Sequence, residues 1–157
     1  MTSGTMTEID VIEKHAENIR NGLDEKVKPG MEVSFTEGCV EGDAIWQGDL
    51  LLVIAGEVAP EGFGKNLAQE NNHQLVPGET VGSKHCLQNL NGVEVLYPKD
   101  WSADSLVGPF ISVKAGSTAV INHPVHGNVV IPGAFNVQCY YQKEYDKEME
   151  KERRAKD

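Results

Sequence analysis

Cysteine is scarce in this chain, and the little there is narrows the possibilities. Cys39, Cys86 and Cys139 are far apart and odd in number, which builds no disulfide framework and suits reduced thiols. No CxxC pair occurs, so zinc ribbons and thioredoxin-type redox motifs are excluded. Long apolar runs are also missing. The longest, Leu50 to Ala55, falls far short of the roughly 20 residues a membrane helix needs. Met1 to Thr5 carry neither a basic region nor an apolar segment. No secretory signal and no membrane association are therefore expected, and the cytoplasm is the expected location.

Catalytic signatures are equally sparse. Gly62-Phe63-Gly64-Lys65 lacks the spacing and the hydroxyl of a phosphate-binding loop. No Gly-x-Ser-x-Gly elbow is present, and nothing specific pairs Cys86 or Cys139 with a histidine as a nucleophile. Positive charge is in deficit as well, with 14 Lys and Arg against 24 Asp and Glu for a net charge of -10. From Lys143 onward the two signs cancel, so the whole excess lies in residues 1–142. Nucleic-acid affinity comes largely from Lys and Arg displacing counterions, so no nucleic-acid partner is expected. An acidic body suits a basic protein partner instead.

What is present reads as one domain of 157 residues with an ordinary apolar content of 39%. Thr7 looks like a helix N-cap, with Glu8 and Asp10 in the first turn where the helix dipole favours acids. Ile9, Ile12, Ala16, Ile19 and Leu23 then recur at spacings of 3 and 4, a narrow apolar stripe on a helix ending near Glu25. The stripe can lie across a β core or form a seam for a partner or a second subunit.

Pro29-Gly30 ends the helical period. Short β-like runs follow at 31–35, 44–54, 74–76, 85–87, 93–97, 110–113, 118–122, 129–131 and 134–142. Gly48-Asp49 reads as a bend before a buried strand, and 60–72 as an exposed loop. In the last run Phe135, Val137, Cys139 and Tyr141 share one face, which predicts a strand with one buried side. The expected fold is mainly β: a small barrel or sandwich with an N-terminal amphipathic helix and a charged C-terminal helical tail. The expected division is 1–28 (flexible segment and helix), 29–142 (β domain) and 143–157 (tail).

Chemistry concentrates in Asn122-His123-Pro124-Val125-His126-Gly127-Asn128, which has the composition of a hairpin turn between two β runs. Two histidines three apart around a tight turn can aim at one point, and imidazole is a ligand for zinc, iron, nickel or copper. His85 is the natural third candidate. Cys86 or Glu79 could complete the set, although a strand puts His85 and Cys86 on opposite faces. The competing reading is that His123 and His126 cap turn backbone groups and His85 lies at the surface. His15 and His73 read as solvated.

Several segments together resemble a known family. These are Gln47-Gly48-Asp49, 75–82, His123-Pro124-Val125-His126-Gly127, 131–137 and 142–146. They are similar to a family of small uncharacterised proteins of bacterial and phage genomes with the pattern QGD, GE-x-TGH-x-H, H-x-EHG, PPG-x-Y-x-V and RQ-x-EY. The likeness covers residues 46–157. It implies a phage or mobile-element origin, and makes His85, His123 and His126 the counterparts of the family's histidines. Ser83 stands at the family's first histidine position and Val125 at its acidic one, so this member has fewer possible ligands. The spacing of cupins is absent, and that analogy concerns the fold alone. The leading expectation is a non-enzymatic binding or assembly module such as a virion accessory or decoration protein, with a protein partner or self-association. The alternative is a cupin-like metal-binding protein or metal-dependent enzyme using a transition metal such as zinc or iron.

Overall fold

The computed structural model describes residues 7–56, 59–65, 74–76, 84–99, 105–142 and 149–150. Its helix, α1 (Glu8–Arg20), opens as expected with a reciprocal cap. The Thr7 hydroxyl accepts the Asp10 N–H at 3.1 Å, and the Asp10 carboxylate accepts the Thr7 N–H at 3.2 Å. The helix stops earlier than the apolar stripe suggested. Gly22 takes a left-handed conformation (φ 72°), and Leu23 N–H turns back to the Asn18 carbonyl at 2.8 Å. Leu23, the last residue of the stripe, is thereby left 74% exposed. A second correction concerns His15, which is buried and bonded through Nδ1 to Asp24 at 2.7 Å, tying the helix to the turn that follows it.

Two mixed sheets make up the β domain. The larger contains β1 (Glu25–Lys26), β3 (Ala44–Gln47), β4 (Leu50–Ala55), β5 (Phe63–Lys65), β7 (Val93–Pro98), β8 (Val107–Val113) and β11 (Asn136–Tyr141), in the order β1-β3-β4-β11-β8-β7-β5. The smaller contains β2 (Glu32–Ser34), β6 (Cys86–Leu87), β9 (Thr118–Asn122) and β10 (Asn128–Pro132), in the order β2-β10-β9-β6. Among the described residues neither sheet closes on itself, so they form no closed barrel.

β1 and β2 lie parallel to β3 and β10, and the chain passes from the larger sheet to the smaller through Pro29-Gly30. Leu50, Leu52, Ile111, Val137 and Cys139 of the larger sheet share one core with Leu87, Ile121, Val129 and Ile131 of the smaller. On the outer face of the larger sheet, Ala44, Trp46, Leu51 and Val53 receive Ile12, with Ala16 and Ile19 beside it. The apolar stripe of α1 thus packs across its own β core. Fully burying a side chain such as Ile12 stabilises by about 1.5–3 kcal/mol.

Three strand expectations change. The run 44–54 is a hairpin, because Gly48 (φ 58°) turns the chain fully and β3 pairs back on β4. The stretch read as an exposed loop contains β5, paired antiparallel with β7. Glu25–Lys26, counted with the helical segment, pairs with β3 as an edge strand. In β11 the alternation is as expected, but the second face is partly covered too. Buried Gln138 donates from Nε2 to the carbonyls of Gly108 and Pro109 at 2.9 and 3.3 Å, beside a register shift against β8. The expected helical tail, 143–157, lies outside the described residues apart from Met149 and Glu150.

Candidate functional site

The β9–β10 turn, His123 to Gly127, meets the β3–β4 turn of the other sheet, and the strand β6 brings His85 beside both. The three histidines are thus neighbours in space. Ring centroids are 4.3 Å apart for His85 and His123, 4.4 Å for His123 and His126, and 6.1 Å for His85 and His126. His85 is 2% exposed and His123 5%, so His85 is no surface residue. Its backbone carbonyl accepts the N–H of Leu75 at 2.8 Å.

Gln47, which the sequence marks only as part of the Gln47-Gly48-Asp49 segment and without a role of its own, organises the cluster. Gln47, fully buried at the end of β3, donates from Nε2 to the carbonyls of Ile121 (2.9 Å) and Gly127 (2.7 Å). Its Oε1 therefore faces Nδ1 of His85 at 2.8 Å. Reversing the amide would set oxygen against two carbonyl oxygens, so Nδ1 of His85 carries the proton. His123 has the opposite tautomer. Its Nδ1 accepts the backbone N–H groups of Val125 and His126, both at 3.1 Å, so in the neutral ring the proton sits on Nε2. His123 is a turn cap, as one of the two readings of the sequence had it. His126 lies over Gly48: a Cβ placed there would come within 2.3 Å of its ring.

The electrostatics follow from burial. Removal from water, and then the neighbouring charges of His123 and His126, hold the pKa of His85 down to about 3, so it is neutral at physiological pH. Cys139 is fully buried, and desolvation pushes its thiol well above the usual range; it is no nucleophile. Cys86 is half-buried. Glu79 and His73 lie outside the described residues.

A transition-metal site needs three or four lone pairs converging on one point. The Nδ1 lone pair of His123 is engaged by the two N–H groups of its turn. Among the described residues no group of three or more His, Cys, Asp or Glu is arranged to hold a metal ion.

A second feature lies outside this cluster. A groove of about 680 Å³ runs between the end of α1, β1, β2 and the segment leading into β3, and five carboxylates line it: Asp24, Glu25, Glu32, Glu41 and Asp43. Nothing in the sequence pattern marked it, because its walls come from four separate segments.

Residues 46–139 match a family profile described only as a domain of unknown function, DUF8820. The chain belongs to this family. The matched stretch contains Gln47, His85, His123 and His126, whereas α1, β1 and β2 precede it. No curated protein matches the chain, and no solved structure does. Among the described residues no helix is long and apolar enough to cross a membrane.

Proposed function

We propose that this protein is a non-enzymatic binding or assembly module, phage-encoded, of the virion accessory or decoration type. One contrast supports the reading. The polar groups that converge inside the molecule bond one another and the backbone, while the open groove presents charged groups to solvent. Gln47 and His123 behave as structural residues, joining the two sheets and closing a turn. The family resemblance supplies the phage context. Sedimentation velocity of the full-length chain, alone and with purified particles of its source, tests the proposal. Self-association or co-sedimentation is the expected outcome. A strict monomer that sediments with nothing overturns it.

The contact of three imidazoles favours a second reading, a metal-binding protein that uses His85, His123 and His126. It requires His123 to release both N–H groups of its turn, because only then can that ring offer a lone pair while keeping one proton. Elemental analysis of untagged protein, beside a His123→Ala/His126→Ala variant, decides the matter. About one equivalent of zinc or iron, lost in the variant, would put this reading first.

A further inference from the structure

The groove lies along the outer edge of β2, the terminal strand of the smaller sheet among the described residues. Met31 and Phe35 bond toward β10: the Met31 carbonyl accepts the N–H of Asn128 at 2.9 Å, and Phe35 donates to Val130 at 3.1 Å. Backbone groups alternate along a strand, so Glu32 and Ser34 direct their N–H and C=O groups away from β10. β2 is the last strand of its sheet, and among the described residues nothing pairs with it on that side. Residues 32–36 form one wall of the groove, while Leu23, Asp24 and Glu25 belong to the other.

The charge of the groove points to its occupant. Five carboxylates face one cation, Lys14. Two of the five are engaged locally: Asp24 by His15 at 2.7 Å, and Asp43 by the N–H of Val40 at 2.9 Å. Glu25, Glu32 and Glu41 are exposed and form no ion pair among the described residues. A second copy of this acidic chain would bring like charge to the groove, and a nucleic acid would bring more. Two exposed apolar side chains flank the site, Leu23 at 74% and Val40 at 63%.

We propose that an extended, lysine- or arginine-bearing segment of a partner protein adds to the free edge of β2, its backbone pairing with Glu32 and Ser34 and its cations meeting Glu25, Glu32 and Glu41. In strand addition, main-chain bonds supply affinity and alternate side chains supply specificity. The proposal rests on the binding-module reading and names its surface and partner class.

The test uses the full-length protein and a short fluorescent peptide alternating lysine with valine. Two controls accompany it: the same peptide N-methylated at alternate residues, which keeps charge but cannot pair, and a glutamate-valine version. Anisotropy should show binding to the lysine peptide, at least about tenfold weaker for either control, with amide NMR shifts at Glu32 and Ser34. Ser34→Pro removes an outward N–H while leaving the β10 ladder intact, and should weaken binding by about tenfold. Glu32→Lys/Glu41→Lys should shift the preference toward the glutamate peptide, and a native circular dichroism spectrum verifies both variants. Equal binding of the N-methylated peptide, or shifts confined to another surface, overturns strand addition. Failure to bind any peptide also overturns it and marks β2 as an edge kept short and charged against aggregation. That outcome would leave the sedimentation result on assembly standing, so the two failures are distinguishable.

Discussion

The histidine cluster and the acidic groove are built from the same kinds of polar groups with opposite outcomes. Inside, Gln47 bonds His85 and the carbonyls of Ile121 and Gly127 in the buried interior, and His123 caps the N–H groups of its turn at the partly buried margin. An unsatisfied buried polar group costs about 1–3 kcal/mol, so the cluster must be complete for the two sheets to meet there. At the groove, backbone and carboxylate groups are left to water at almost no cost, because solvent is an adequate partner. A polar cluster in a core is therefore first a feature of stability, whereas one at an open edge is available for recognition. The family match reinforces the contrast: the cluster falls within residues 46–139, and most of the groove comes from residues before it.

Breaking the interior cluster should have the largest effect. Gln47→Leu removes the acceptor of the His85 Nδ1–H and the donor to two carbonyls, and should lower unfolding free energy by about 3–5 kcal/mol in urea titration. Gly48→Ala is next. It strains a left-handed turn and strikes the His126 ring, so a loss of about 2 kcal/mol is expected by the same measurement.

The third prediction concerns pH. Folding lowers the pKa of His85 from 6.5 to about 3, so between those values the unfolded chain binds more protons. Its contribution is complete above about pH 6.5 and declines as pH falls toward 3, by at most about 1.4 kcal/mol per pH unit. His85→Asn, whose amide can still donate to Gln47, should flatten that slope in denaturation measured across the window. The smallest effect belongs to the N-terminus of α1, away from both the cluster and the groove. Thr7→Ala removes the helix cap and should cost about 1 kcal/mol, measured by thermal unfolding, without shifting the histidine resonances.

Local patterning accounts for what was legible. Helix and strand periods placed α1 and most strands, since each depends on one face of one segment meeting apolar surface. β5 escaped notice because Phe63-Gly64-Lys65 has no period of its own and becomes a strand only by pairing with β7. β1 is two residues long and follows the same rule. The proximity of His123 and His126 was evident from the turn between them. His85, the natural third candidate in the sequence, joins them only through the packing of β6 beside their turn. Gln47 gave a faint signal, as the polar residue between apolar Ala44-Ile45-Trp46 and Leu50-Leu51-Leu52. His15 was misread because its partner, Asp24, is brought to it only by the turn at Gly22.

By itself, then, the sequence determined a mainly β chain, a capped N-terminal helix, an acidic surface and a histidine-bearing turn, because each depends on composition or on residues a few positions apart. Only the tertiary structure decided that the strands form two open sheets and that the stripe of α1 covers its own core. It also decided which nitrogens of His85 and His123 carry protons, and that β2 ends its sheet beside five carboxylates. Those properties depend on partners 38 to 80 residues away for Gln47, and on which strand finds a neighbour. Pairing over such distances is a result of folding the whole chain, and no local period encodes it.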